Sequence, residues 1–120
     1  MPSAELRLPG VPGARLVWPP AKPTATLVVL AEEQGEPLCR ELARRCGVLA
    51  LCVPCRGPQD GTAALEWTAD HAVQLGAAGP LKLTGVGAGA GYAQAVAARA
   101  REQGWPAVEL VQPRADLPPA

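Results

Sequence analysis

From Thr26 onward the chain alternates continuous apolar runs with stretches that carry a single apolar stripe. Leu27-Val28-Val29-Leu30 has no polar interruption, the pattern of a strand covered on both faces. After a polar loop, Pro37 stands where a first helical residue would be and Gly47 where a C-terminal cap would be. Leu38, Leu42 and Cys46 lie four apart between them, which predicts a helix with one buried stripe. Val48 to Val53 reads as the next buried strand and Pro54 to Gly61 as a loop. Thr62 then opens a second helix, in which Leu65, Ala69, Ala72, Val73 and Gly76 share a face. Leu81 to Thr84 is a further strand, and it runs straight into the cluster Gly85-Val86-Gly87-Ala88-Gly89-Ala90-Gly91. An alanine-rich helix from Ala90 to Gln103 is closed by Gly104, Val108 to Val111 makes a last strand, and Pro113 to Ala120 is a frayed tail.

Residues 1–23 follow another rhythm. Short β-like pieces, Glu5 to Leu8 and Ala14 to Trp18, are separated by Pro9, Gly10, Pro12 and Gly13 and followed by Pro19 and Pro20. Proline does least harm on a sheet edge, so this region predicts an antiparallel hairpin there. The order is therefore β-β-β-α-β-α-β-α-β, and strands alternating with helices demand parallel pairing through right-handed crossovers. The expectation is a three-layer α/β domain over residues 1–120, with a mainly parallel sheet of about six strands and three helices on its faces.

Composition narrows the partners more than the fold. Eleven basic side chains balance eleven acidic ones, so no long-range field gathers nucleic acid or anionic lipid. No apolar run approaches the roughly 18 residues of a membrane span, and Met1 to Gly10 lacks the basic-then-apolar pattern of a signal peptide. Neither nucleic acid nor membrane is expected as a partner, and the chain reads as cytoplasmic. The 48% apolar fraction contains no Phe, three Trp and one Tyr, so the core must be built from small side chains packed closely. Cys39, Cys46, Cys52 and Cys55 are expected as reduced, mostly buried thiols, with Cys55 the most reactive because it falls in a loop.

The glycine cluster is the one place where the sequence proposes a site. Glycines at a strand-to-helix junction let the backbone turn sharply and aim the free N–H groups of the helix into a crevice. One reading is a nucleophile elbow, G-x-S-x-G. A second takes Gly85, Gly87 and Ala90 as the G-x-G-x-x-A form of a dinucleotide fingerprint. That form wants an acidic residue ending the next strand, where Gln112 stands while Glu109 falls mid-strand. A third gives the glycines no role beyond tight helix-to-sheet packing.

The first reading carries a family resemblance. Gly85-Val86-Gly87-Ala88-Gly89-Ala90 lines up with the G-D-S-A-G-G stretch of the hormone-sensitive-lipase, carboxylesterase-like branch of the α/β-hydrolases. The segments TLVVL, CRELARRCGV, LALCVPCRG and ALEWTADHAVQLGAAGPLKLTGVGAGAG resemble that branch in the same order. The resemblance implies a truncated α/β-hydrolase-like fold in which Gly87 occupies the serine position, leaving no side chain to attack an ester. It also places Ala31-Glu32-Glu33-Gln34 where the family has an oxyanion loop, adding negative charge beside a would-be oxyanion. The later strands that would carry the acid and the histidine are not reached, and the single histidine, His71, lies upstream.

Other candidates have bland readings beside the sharp ones. Cys52-Val53-Pro54-Cys55 is a C-x-x-C, but Cys52 lies in a strand rather than at a helix N-terminus, where a redox thiolate would be activated. A zinc site would need Cys39 and Cys46 to converge with that pair. Asp70 and His71 are adjacent on a helix and point about 100° apart. Trp67 and His71, four apart, suit a local surface contact. Glu32, Glu33 and Glu36 suit a cation or, as a solvated loop, the helix dipole.

The reading is a degenerate, non-catalytic hydrolase-like protein acting as a binding or assembly subunit, without cofactor or metal. A small apolar ligand would sit in a crevice made by Ala31, Gly85, Gly87, Ala88 and Tyr92. A second copy or another protein would pair with the last strand, Ala107 to Val111. The alternatives are a carboxylesterase or thioesterase completed by a partner chain and a dinucleotide-binding module.

Overall fold

The structure is a computed structural model that describes residues 3–8, 11–31, 35–71, 74, 76, 79–104 and 108–112. Among the described residues six strands and three helices follow the expected order: β1 (Ser3–Leu8), β2 (Val11–Val17), β3 (Thr26–Ala31), α1 (Glu36–Cys46), β4 (Leu49–Pro54), α2 (Pro58–His71), β5 (Leu81–Val86), α3 (Ala88–Glu102) and β6 (Val108–Leu110). They build one sheet in the order β1-β2-β4-β3-β5-β6. β4, β3, β5 and β6 are parallel, while β1 and β2 form an antiparallel hairpin that joins the sheet against β4.

β3 is central because every one of its residues is buried, so it needs cover on both faces. Alternate side chains feed two separate cores. Val28 and Leu30 join Leu51, Val53 and Leu83 beneath α2 and α3, whereas Leu27 and Val29 join Ala50, Cys52 and Val17 beneath α1. This is the expected three-layer α/β arrangement. The chain leaves β3 through α1 to β4 on one side and returns through α2 to β5 on the other. The point where the order reverses, at the carboxyl ends of β3 and β5, is where α/β sheets open a crevice.

The ends of α1 match their sequence signals. Pro37 occupies the first turn, and Gly47 caps the other end with a left-handed φ of 67°, donating its N–H to the Ala43 carbonyl at 3.1 Å. Cys39, Leu42, Ala43 and Cys46 form the buried stripe, with Leu38 packed at its border.

α2 departs from expectation. It begins at Pro58 rather than Thr62, because Pro58 serves as a helix-starting proline and the Asp60 carboxylate reaches back to accept the Arg56 N–H at 3.0 Å. The earlier start rotates the buried face. Gly61, Ala64, Leu65 and Thr68 are buried, while Ala69 is exposed, so of the expected stripe only Leu65 is confirmed inside. Ala72 and Val73 lie outside the described residues, and Gly76 follows the helix. Buried Thr68 donates its hydroxyl to the Ala64 carbonyl at 2.7 Å, which lets a polar side chain face the core. The expected flexible tail, residues 113–120, also lies outside the described residues.

The Gly61 face can be tested directly. A Cβ there would stand 2.8 Å from Leu30 Cδ1 and 2.9 Å from Val96 Cγ2. Urea denaturation of Gly61→Ala is expected to show a loss of about 1–3 kcal/mol from overpacking, outweighing the better helix propensity of alanine. Ala69→Ser, on the exposed face, is expected to stay within about 0.5 kcal/mol.

Candidate functional site

The β5–α3 junction is built around three glycines with three different reasons for lacking a side chain. A Cβ on Gly89 would collide with the Leu30 carbonyl, and one on Gly85 would collide with the Gly89 carbonyl, so α3 rests on the sheet backbone to backbone. Gly87 between them has φ 61° and ψ −130°, a strained region for any residue with a side chain, yet its Cβ direction meets nothing within 4 Å. The turn therefore carries Gly87 to its exposed tip, with open space above it. Gly91 is needed for neither purpose: it lies within α3, is exposed, and would meet nothing on gaining a methyl.

This is the spacing of a nucleophile elbow, in which two flanking small residues let a strained residue stand above the sheet. The dinucleotide spacing would instead put the packing residue at Ala90, which is exposed, while Gly89 makes the contact.

The proposed crevice residues are not all at its surface. Val86, 40% exposed, Gly87 and Ala88 share the open tip. Gly85 lies beneath Gly89. Ala31, at the carboxyl end of β3 beside Val86, is buried, and its Cβ points toward the start of α1, where a methyl on Gly35 would come within 3.0 Å of it. Tyr92 is half-buried against the core under α2 and α3. Val86 was not among the expected residues; its signal was its place as the last residue before the glycines. Glu32, Glu33 and Gln34, of the expected acidic loop, lie outside the described residues.

His71 is remote from the elbow. α2 leaves the carboxyl end of β4 and runs toward the opposite edge, where β5 begins, and His71 ends it. Its ring stacks on Trp67 with centroids 4.3 Å apart, and Nδ1 donates to the Trp67 carbonyl at 2.7 Å. The contact is the local one that the spacing of four predicts. Glu36 is held by Arg15 at 3.2 Å and Arg40 at 2.8 Å, so its charge serves the start of α1. Among the described residues no group of three His, Cys, Asp or Glu side chains converges as a metal site.

All four cysteines are buried and unlinked, as expected, and only Cys55 departs from its expected role. Cys52 and Cys55 belong to opposite cores, so the C-x-x-C spacing does not bring them together. Cys55 is fully buried, and its burial pushes the thiol up from its ordinary value, so it is not the reactive loop cysteine that was expected. Its S–H donates to the Gly57 carbonyl at 3.0 Å and its N–H to the Ala31 carbonyl at 2.7 Å, fixing the bend between β4 and α2. Cys52 moves the other way: a hydrogen bond from the Cys39 thiol lowers it, against the cost of burial.

A cavity of about 400 Å³ lies elsewhere, between α2 and α3, lined by Pro58, Gln59, Thr62, Ala63, Glu66 and Arg99. None of these residues belongs to the elbow.

Comparison with solved structures places this geometry. A hyperthermophilic esterase from the archaeon Pyrobaculum calidifontis superimposes with a TM-score of 0.74 at 24% sequence identity, over 88% of this chain and 42% of its own. The chain has the α/β-hydrolase fold. Carboxyl esterase 2 of the mycorrhizal fungus Tuber melanosporum gives a TM-score of 0.72 at 20% identity, over 91% of this chain and 44% of that one. A thermostable esterase of Pseudomonas putida gives 0.67 at 23% identity, over 89% and 40%. The chain thus spans less than half the length of these α/β-hydrolase-fold esterases. No protein-family model and no curated protein matches the sequence.

The three glycine roles separate by mutation. In chemical denaturation Gly87→Ala is expected to cost about 1–3 kcal/mol through backbone strain alone. Gly89→Ala, which must push α3 off β3, is expected to lose more than about 4 kcal/mol. Gly91→Ala is expected to gain about 0.5 kcal/mol from helix propensity.

Proposed function

We propose that this chain is a non-catalytic module on an α/β-hydrolase scaffold, acting as a binding or assembly subunit. The observation that carries the reading is Gly87: the elbow's strained backbone and both of its close contacts are kept, while the position that would hold a nucleophile bears no side chain. A reacting group must approach an attacking atom on that side chain, and glycine offers none. His71, stacked on Trp67 at the far end of α2, is not placed to act as a base at the elbow. What remains at the tip is the apolar Val86 beside Gly87 and Ala88, a surface suited to a small apolar ligand rather than to bond cleavage. Four unlinked cysteines suit a reducing compartment, so the cytoplasm is the location we favour.

Hydrolysis of short p-nitrophenyl esters is expected to stay at the level of Gly87→Ala, and Gly87→Ser alone is expected to add little. Fluorophosphonate labelling at any residue from 84 to 92 would overturn the reading in favour of an esterase.

The assembly half of the proposal rests on β6. Among the described residues nothing pairs with its outer side, and Leu110 is 41% exposed. Val111 turns inward and donates its N–H to the Leu83 carbonyl at 2.9 Å, while Lys82 holds Glu109 at 3.7 Å. β6 is short, running only from Val108 to Leu110, and Ala107 lies outside the described residues. An unpaired edge without a gatekeeping lysine of its own invites another strand, and a second copy about a two-fold axis would continue the sheet. Light scattering is expected to give about twice the 12.3 kDa of one chain, with Leu110→Lys shifting it to monomer. A wild-type monomer at high concentration counts against the dimer.

A further inference from the structure

We propose that the cavity between α2 and α3 binds a small zwitterion of the α-amino-acid type, at a site separate from the elbow and independent of the reading given for it. The cavity measures about 400 Å³ and is lined by Pro58, Gln59, Thr62, Ala63 and Glu66 of α2 and by Arg99 of α3. That volume lies within the range in which proteins hold small organic molecules, roughly 300–1,000 Å³.

Its walls are set by the packing beside it. Gly61 lacks a side chain where α2 meets α3, since a Cβ there would stand 2.9 Å from Val96 Cγ2, so the two helices approach closely at that point. Thr62 follows Gly61 directly, and Arg99 stands about one turn beyond Val96, so each helix supplies a wall just outside the close approach. Four of the six lining side chains, Gln59, Thr62, Glu66 and Arg99, are polar, and among the described residues none of the four hydrogen-bonds to or pairs with another protein group. The rest of the molecule behaves differently. Thr68, on the same helix, donates to the Ala64 carbonyl, and on α1 Glu36 engages Arg40 and Glu41 engages Arg45. Here a carboxylate and a guanidinium line one cavity without joining across it, which leaves both to whatever stands between them.

The two charges fix the chemistry of the occupant. The Arg99 guanidinium is a fork of N–H donors suited to a carboxylate, and Gln59 and Thr62 add polar groups in the first turns of α2, at the positive end of the helix dipole. Glu66, about one turn past Thr62, accepts from an ammonium. A ligand bearing only a carboxylate would be repelled by Glu66, and one bearing only an ammonium would be repelled by Arg99. An α-amino acid carries both charges on one carbon and answers both. Pro58 and Ala63, the apolar part of the lining, suit a hydrocarbon side chain on that carbon.

The test is an NMR titration of the whole isotope-labelled protein with L-phenylalanine, with hydrocinnamate, which lacks the ammonium, and with phenethylamine, which lacks the carboxylate. L-Phenylalanine is expected to shift the backbone amides of Thr62, Ala63, Glu66 and Arg99 saturably, and each half-molecule to bind at least about tenfold more weakly because it forfeits one charge-assisted contact. Glu66 and Arg99 are both exposed, so Glu66→Gln and Arg99→Gln are expected to keep the wild-type circular dichroism while each weakens L-phenylalanine by at least about tenfold. In the wild-type protein, no saturable shift at these amides, shifts confined to residues 85–91, or equal affinity for L-phenylalanine and hydrocinnamate would overturn the proposal. Undiminished binding in folded Arg99→Gln would overturn it as well.

Discussion

Helix α3 meets the sheet with no side chain between them: Gly89 lies against the Leu30 carbonyl, and Gly85 lies under the Gly89 carbonyl. A methyl group at either place would separate helix from strand. This contact ties β5 and α3 to the central strand, and only Gly87 stands between the end of β5 and the start of α3. The strain at Gly87 follows from that constraint. Tight packing below obliges the backbone above to take a conformation that residues with side chains seldom adopt.

In an enzyme the same geometry presents a side chain over the crevice, and strain there serves the chemistry. Here the strain is relieved by glycine and the presentation is empty. The scaffold and its reactive group are therefore separable, as expected where function resides in particular side chains placed on a fold. The likeness to esterases establishes the fold, and Gly87 is what moves the proposed function away from hydrolysis.

The two cores show how the same backbone divides one residue type into different roles. Cys52 and Cys55 are close in sequence but fall on opposite sides of the sheet, one facing α1 and the other holding the β4–α2 bend. The partner that matters to Cys52 comes from a different element altogether. Burial acts on both thiols alike, and their opposite directions of ionisation come from what each meets: a thiol donor for Cys52 and an apolar enclosure for Cys55.

The amino-acid sequence by itself determined the succession of elements, because continuous apolar runs, a Pro-start and Gly-end for α1, and a glycine cluster after a strand are local signals with local causes. It also determined that no nucleophile stands at Gly87. The start of α2 was decided otherwise: Asp60 caps the Arg56 amide only once the chain has bent there, and the buried face then falls on Gly61 and Ala64 in place of Ala69. Which glycine packs and which is strained was likewise invisible in a run where every second residue is glycine, since the difference lies in what surrounds each one. Cys39 and Cys52 share one core for the same reason: their placement depends on how α1 crosses β4, a distance in space that no spacing along the chain encodes.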